Sequence, residues 1–587
     1  MIRKYTAPVL WLVCLFLSEA AANAQTVTRS PYLQVVTPTS ITVRWRTDQP
    51  TTSRVRFGAN ADQLTQAVSD PALTTEHVVT LTGLQAATRY FYAIGTNTND
   101  LMASGEQYFQ TSPTAGSTVP VRIWALGDFG SGTANQFAVL EKYRNATKDR
   151  PADIWLWLGD NAYNQGYDSQ YQQNVFNVYT DLLKRLPVWP TPGNHEYVDN
   201  PNNLDIDYFR LVNVPQQAEA GGVASGSKRN YSFDYANIHF VSLDSQGNDG
   251  GRVYDPNGRQ AQWLVKDLAA NRQPWTIVFF HHPPYTKGSH DSDNANDLIQ
   301  IRQQLLPILE QYQVDLVLSG HSHLYERSYL MKGHYGQSTT FDKSQHAVST
   351  GNARYDGSPN SCPIMNKQAG TIYVVNGSGG QLGWQSVGYP HPAMVYSDNQ
   401  VGGSMVIDVT DNRLDAQWVA ADGVVRDKFT VLKKVNQRRY FLTTPGKPLT
   451  LTASWPGNYT WSSGQTGRTI NVAPTASATY TVTDQSGCLL DAFAVDVDNP
   501  TNTDVRFEGQ LAIYPNVATG SATIKVAIPS PKTIDVHVTD SQGVVMFEKQ
   551  YVNTAQITES ITLPASGEYR FIARVGTDVL SRISFRL

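Results

Sequence analysis

Six short apolar runs constrain the fold of this 587-residue chain more than anything else in it. They are VRIWALGD from Val121, DIWLWLGD from Asp153, NIHFVSLD from Asn237, WTIVFFHH from Trp275, VDLVLSGH from Val314 and TIYVVNGS from Thr371. Near-continuous apolar character over so few residues reads as strands buried on both faces. Between them, QAQWLVKDLAANRQ from Gln260 and LIQIRQQLLPILEQY from Leu298 carry apolar residues at helical spacing. Strands alternating with helices predict an α/β unit, an αββα sandwich, over residues 119–434. The runs end in small or polar residues, so functional side chains leave the rigid core together at one rim.

The flanks read differently. Residues 25–115 are expected to form an all-β module: ITVRW around Trp45 alternates apolar and polar positions, and a linker, Ser112–Pro120, follows. Leu84, Thr88, Tyr90 and Tyr92 resemble the tyrosine corner of fibronectin type III sandwiches. TLTASW, YTWSSG and ATYTVTD predict a small immunoglobulin-like β-sandwich over 438–498. Residues 506–587 carry IYPN at Ile513, a D-x-x-G turn at Asp540 to Gly543, and GEY at Gly567. That order resembles the C-terminal sorting domain of type IX secretion, which implies that machinery as a partner. A plain β-sandwich binding carbohydrate or cell wall is the other reading.

At the N-terminus, Arg3 and Lys4 precede an apolar stretch, Pro8–Leu17, and then Ala22-Asn23-Ala24. Residues 1–24 therefore read as a signal peptide, and no later segment is long enough to span a membrane. Together with the sorting-domain resemblance, this predicts a secreted or cell-surface protein exported through a Gram-negative periplasm. Charge is nearly balanced, 46 basic against 50 acidic residues, so no nucleic-acid partner is expected. Cys362 and Cys488 lie far apart in different modules, and no structural disulfide is expected from them.

Chemistry concentrates in five motifs: GDFG at Gly127, GDNAY at Gly159, GNHE at Gly193, FFHHPPY at Phe279 and GHSH at Gly320. Each alone has a bland reading. A strand-end Asp can cap a helix, and Asn can occupy a left-handed turn. In ordered series they supply Asp128, Asp160, Tyr163, Asn194, His281, His321 and His323, a mixed set of hard and borderline donors suited to two adjacent metal ions.

This series is similar to that of the purple acid phosphatases within the calcineurin-like metallophosphoesterase superfamily, and LYERS from Leu324 extends the likeness. The resemblance implies that Asp128, Asp160, Tyr163 and His323 hold Fe(III), for which a tyrosinate is a favourable hard anionic donor. It implies that Asp160 also bridges to Zn, Fe(II) or Mn, completed by Asn194, His281 and His321. Alignment to its VxxH motif selects His281 over His282, since neighbours on a strand face opposite ways.

The expected activity is hydrolysis of phosphomonoesters by direct attack of a metal-bound hydroxide. His195, beside Asn194, is the candidate proton donor to the leaving group. His290, in KGSHDSD, resembles the family's second active-site histidine, with a solvated loop histidine as the alternative. Glu326 would orient a ligand histidine or pair with a nearby Arg. Tyr329–Lys367, rich in Gly, Ser, His and Asn, is expected to form a substrate-facing flap carrying His334 and Tyr335. A phosphodiesterase or nucleotide hydrolase, and a catalytically dead adhesion or carbohydrate-binding protein, stay open as alternatives.

Overall fold

The computed structural model describes residues 25–198, 200–365, 369–457, 459–497, 509–514, 517–518, 520–564, 566–576 and 578–586. The expected signal peptide and Pro515 and Asn516 of IYPN lie outside them. The apolar runs form the strands predicted for them, distributed over two seven-stranded sheets. In the first, Val121–Leu126, Ile154–Leu158 and Val188–Thr191 are parallel neighbours, extended antiparallel by Gly403–Thr410 and Arg413–Ala420. In the second, Ile238–Ser242, Trp275–Phe279, Leu316–Ser319 and Ile372–Asn376 run parallel in that spatial order.

Alternation explains how each run is buried twice. Ile123, Ala125, Leu156 and Leu158 meet Phe240, Ile277, Phe279 and Leu318 in the core between the sheets. Their neighbours Trp124, Trp155 and Trp157 face outward onto Val139, Leu140 and Tyr143 of the helix Ala134–Ala146. On the far side, Val278, Phe280 and Val317 pack on Trp263 and Leu264 of the helix Arg259–Ala270, and on Leu305 and Leu309. Two sheets with helices on both outer faces make an αββα sandwich. The helix over residues 296–311 on the same face widens to a π-turn at Ile301–Leu305, two residues before Pro307, whose ring and missing N–H do not fit a regular α-turn.

The flanking modules are all β. The first is a five-stranded sheet in which the Tyr90 hydroxyl accepts the Gln85 N–H at 3.0 Å. Its buried Arg29 reaches Asp168 of the central unit at 2.7 Å. Toward the C-terminus, Trp455, Trp461 and Phe493 centre one small core. A six-stranded sheet includes Ser521–Asp540 and Val545–Thr562. Gly543 stands at φ +80° in the turn between them and accepts the Tyr440 N–H at 2.8 Å.

One expectation is overturned here. Cys362 and Cys488 form a disulfide, with Cα atoms 5.5 Å apart across 126 residues of sequence. Tyr355 and Met365 of the central unit pack onto the core around Trp455, and this docking brings the two cysteines together. No helix among the described residues is long and apolar enough to cross a membrane.

Candidate metal centre

The candidate ligands all follow C-terminal ends of the parallel strands, where adjacent strand ends open a crevice. Asp128 and Asp160 turn away from their strands in the left-handed region, at φ 57° and 48°. The glycines of these motifs permit close approach. A Cβ on Gly159 would come within 2.5 Å of His281 Nδ1, and one on Gly320 would collide with the Asp128 carboxylate.

All seven donors converge, and they fall into two overlapping groups. In one, the Tyr163 hydroxyl lies 2.9 Å from Asp128 Oδ1, 3.1 Å from His323 Nε2 and 3.5 Å from Asp160 Oδ2. His323 Nε2 is 3.4 Å from Asp128 Oδ1. In the other, His281 Nε2 is 3.1 Å from both Asp160 Oδ2 and Asn194 Oδ1. His321 Nδ1 is 2.9 Å from Asn194 Oδ1 and 3.3 Å from His281 Nε2. Asp160 Oδ2 belongs to both groups. Such separations suit donors sharing one ion at bond lengths of about 2.0–2.2 Å. Asp160, His281 and His321 are all buried and cluster tightly enough to hold a metal ion.

The surroundings also fit a cation. His281 Nδ1 lies 3.0 Å from the Leu158 carbonyl, so its N–H donates there and Nε2 is aimed at the donor cluster. Burial opposes charge on His281, yet Asp160 and then Asp128 outweigh it and raise the ring to about 9. Burial likewise opposes ionisation of Asp160, and His281 overcomes it, leaving its pKa well below the usual carboxylate range. Tyr163 is pushed well above its ordinary value by burial, then by Asp128 and Asp160. Without metal these groups share protons that a bound cation would displace.

His195 and His290 are brought to the same pocket. His195 Nδ1 is 2.5 Å from the Asn164 carbonyl, and Nε2 faces Asp160 Oδ2 at 3.8 Å, with the side chain about one-third exposed. His290 stacks on the ring of His321, a candidate ligand, with centroids 3.7 Å apart, and burial lowers it to about 4. His282, like His281, lies past the end of the strand Trp275–Phe279, so strand parity does not set its direction; its Nδ1 is 2.8 Å from Ser245 Oγ and its ring packs on His321.

Two expectations fail. Glu326 is fully buried, but its oxygens have no hydrogen-bond partner among the described residues; it faces Thr286 and the backbone of Lys287 and His391. Its neighbour Arg327 pairs instead with Asp427 at 2.6 Å, because adjacent strand residues face opposite ways. Burial raises Glu326 to about 7. The two residues expected to face substrate from the flap do not: His334 is 2% exposed, and the Tyr335 hydroxyl donates to Glu310 at 2.6 Å on the outer helical layer, while residues 366–367 at the end of that stretch lie outside the described residues.

Glu196 was not singled out from the sequence and is central. Its buried carboxylate accepts the N–H groups of Asp160 at 3.1 Å, Asn161 at 2.8 Å and Gly193 at 2.6 Å, and the Tyr171 hydroxyl at 2.9 Å. It thereby locks together the two loops that carry the candidate ligands Asp160 and Asn194. The signal was present as the last letter of GNHE, but apart from Gly193 its partners Tyr171, Asn161 and Asp160 lie 25, 35 and 36 residues upstream.

Comparisons with known proteins agree with this architecture. Residues 121–325 match the calcineurin-like phosphoesterase family, and residues 29–111 match the N-terminal domain of purple acid phosphatases. A purple acid phosphatase of Glycine max is 26% identical over 65% of this chain and 78% of its own length. Purple acid phosphatase 22 of Arabidopsis thaliana is 31% identical over 43% of this chain, which spans about half (53%) of that relative's length. The structure of a purple acid phosphatase from yellow lupin (Lupinus luteus) seeds aligns with a TM-score of 0.54 at 20% identity, covering 69% of this chain and 74% of that one. Together with the family match over residues 121–325, that alignment shows a metallophosphoesterase fold.

Proposed function

We propose that this chain is an exported, dinuclear-metal acid phosphatase that hydrolyses phosphomonoesters without a covalent enzyme intermediate. The observation carrying this reading is the sharing of Asp160 Oδ2 between two donor groups, one of which contains the Tyr163 phenol. Asp128, Asp160, Tyr163 and His323 would hold Fe(III); Asp160, Asn194, His281 and His321 would hold Zn, Fe(II) or Mn. Bound there, two ions would acidify a coordinated water and neutralise phosphoryl charge. The similarity to plant purple acid phosphatases supports the same activity.

The chain's own residues supply the rest. The Asn164 carbonyl fixes His195 through Nδ1 and leaves Nε2 facing the centre, the position from which a general acid donates to the departing alkoxide. His290, held flat on His321, is placed to donate to a phosphoryl oxygen. Glu196 keeps the Asp160 and Asn194 loops in register before substrate arrives. Export is supported by the charged and apolar N-terminal segment and by the C-terminal motifs that resemble a type IX sorting domain.

The test is a metal-loaded preparation assayed on 4-nitrophenyl phosphate and bis(4-nitrophenyl) phosphate, with its visible spectrum recorded. Monoester hydrolysis at least tenfold above diester, with an Fe(III)–tyrosinate absorption band, is expected. A colourless protein that prefers the diester, or one inert on both, contradicts the proposal.

A further inference from the structure

The segment Gly379–Tyr389, GGQLGWQSVGY, crosses the rim of the metal centre and is pinned there on both sides. The Gly383 N–H donates to the His323 carbonyl at 2.9 Å. A Cβ on Gly383 would stand 2.6 Å from Ser289 and 3.1 Å from His323 Cβ, so only glycine allows the approach. Farther along, the Ser386 N–H donates to the Lys287 carbonyl at 2.8 Å, and its hydroxyl donates to the Gly288 carbonyl at 2.7 Å. The loop is therefore tied to a ligand residue and to the segment bearing His290.

Between these pins stands Trp384, 70% exposed. A side chain of this size is ordinarily well buried, and most tryptophans here are: Trp45, Trp124, Trp155, Trp157 and Trp189 are 2% exposed or less. Trp384 follows Gly383 directly, so its Cα is about 3.8 Å along the backbone from a residue in contact with His323. A solvated indole carried on a backbone pinned at Gly383 and Ser386, next to a residue bonded to His323, is available to contact a molecule bound at that rim.

We infer that Trp384 is a specificity-determining platform on which a planar leaving group, an aryl ring or a nucleobase, stacks while its phosphoryl group occupies the metal centre. This rests on the phosphatase reading above. An indole face favours π-systems over alkyl chains, so the residue should discriminate between leaving groups without touching the reacting atoms.

The experiment compares wild type, Trp384→Ala and Trp384→Phe on 4-nitrophenyl phosphate, adenosine 5′-monophosphate and glycerol 2-phosphate. Trp384→Ala is expected to raise KM about five- to tenfold for the two planar substrates, with kcat within about twofold. KM for glycerol 2-phosphate and inhibition by inorganic phosphate should stay unchanged, and Trp384→Phe should keep most of the preference. An equal rise for all three substrates, or none, overturns the assignment. If wild type hydrolyses no ester, the phosphatase reading itself fails. In that event, calorimetric binding of adenosine 5′-monophosphate that is equal in wild type and Trp384→Ala overturns the platform independently.

Discussion

Asp160 and His281 meet at 3.1 Å, Oδ2 to Nε2, at the point where the parallel strands of the two mixed sheets bring their ends together. The same oxygen faces the Tyr163 hydroxyl at 3.5 Å, so one carboxylate connects the phenol side of the centre to the imidazole side. Asp160→Asn keeps the shape but removes the shared negative charge. Elemental analysis of the variant is expected to show metal lost from both positions, with kcat down at least about a thousandfold. Retention of both ions would contradict the bridging role.

His195 touches the pocket through Nε2 without joining either donor group. His195→Ala should therefore leave metal content unchanged and lower kcat about a hundred- to a thousandfold, with a smaller effect on KM. The kcat loss should shrink for substrates with acidic leaving groups, which need no proton. A loss independent of leaving-group pKa would rule out proton donation.

Glu196 holds the ligand loops through backbone N–H groups. Glu196→Gln turns one acceptor oxygen into an NH2 group facing those donors. Metal affinity, measured by competition with a chelator, should weaken about ten- to a hundredfold. Denaturant unfolding of the metal-free variant should show a loss of about 1–3 kcal/mol. Unchanged affinity would make Glu196 a bystander.

His239 supplies a pH test of stability remote from the centre. Burial opposes its charge, but hydrogen bonds to Asp234 and Asp267, both at 2.8 Å, raise it to about 9. A folded-state value above the ordinary 6.5 means the stabilisation is complete below pH 6.5 and disappears as pH rises through 9. Its full size is roughly 3 kcal/mol. The stability gap between wild type and His239→Gln should therefore narrow from pH 6.5 to 9; a gap that widens would contradict the ion-paired state.

Much of the central unit was legible because its information is local. A run such as DIWLWLGD states both its burial, through continuous apolar character, and its end, through Gly159 and Asp160. Convergence of the donors followed from their common position after strands. What could not be read depends on contacts between distant segments. The cysteines that form the disulfide are 126 residues apart, and their proximity comes from docking of one module on another. The stretch around His334 has a loop's composition, yet partners such as Glu310 and Tyr285 draw it onto the helical layer. Glu326 could have been separated from Arg327 by strand parity alone, had its segment been recognised as a strand.

Anomalous diffraction from crystals of the metal-loaded protein would locate the ions themselves. Two peaks are predicted, one on each side of Asp160 Oδ2, the first ringed by Asp128, Tyr163 and His323 and the second by Asn194, His281 and His321. A single peak, or two that do not share Asp160, would contradict the dinuclear centre.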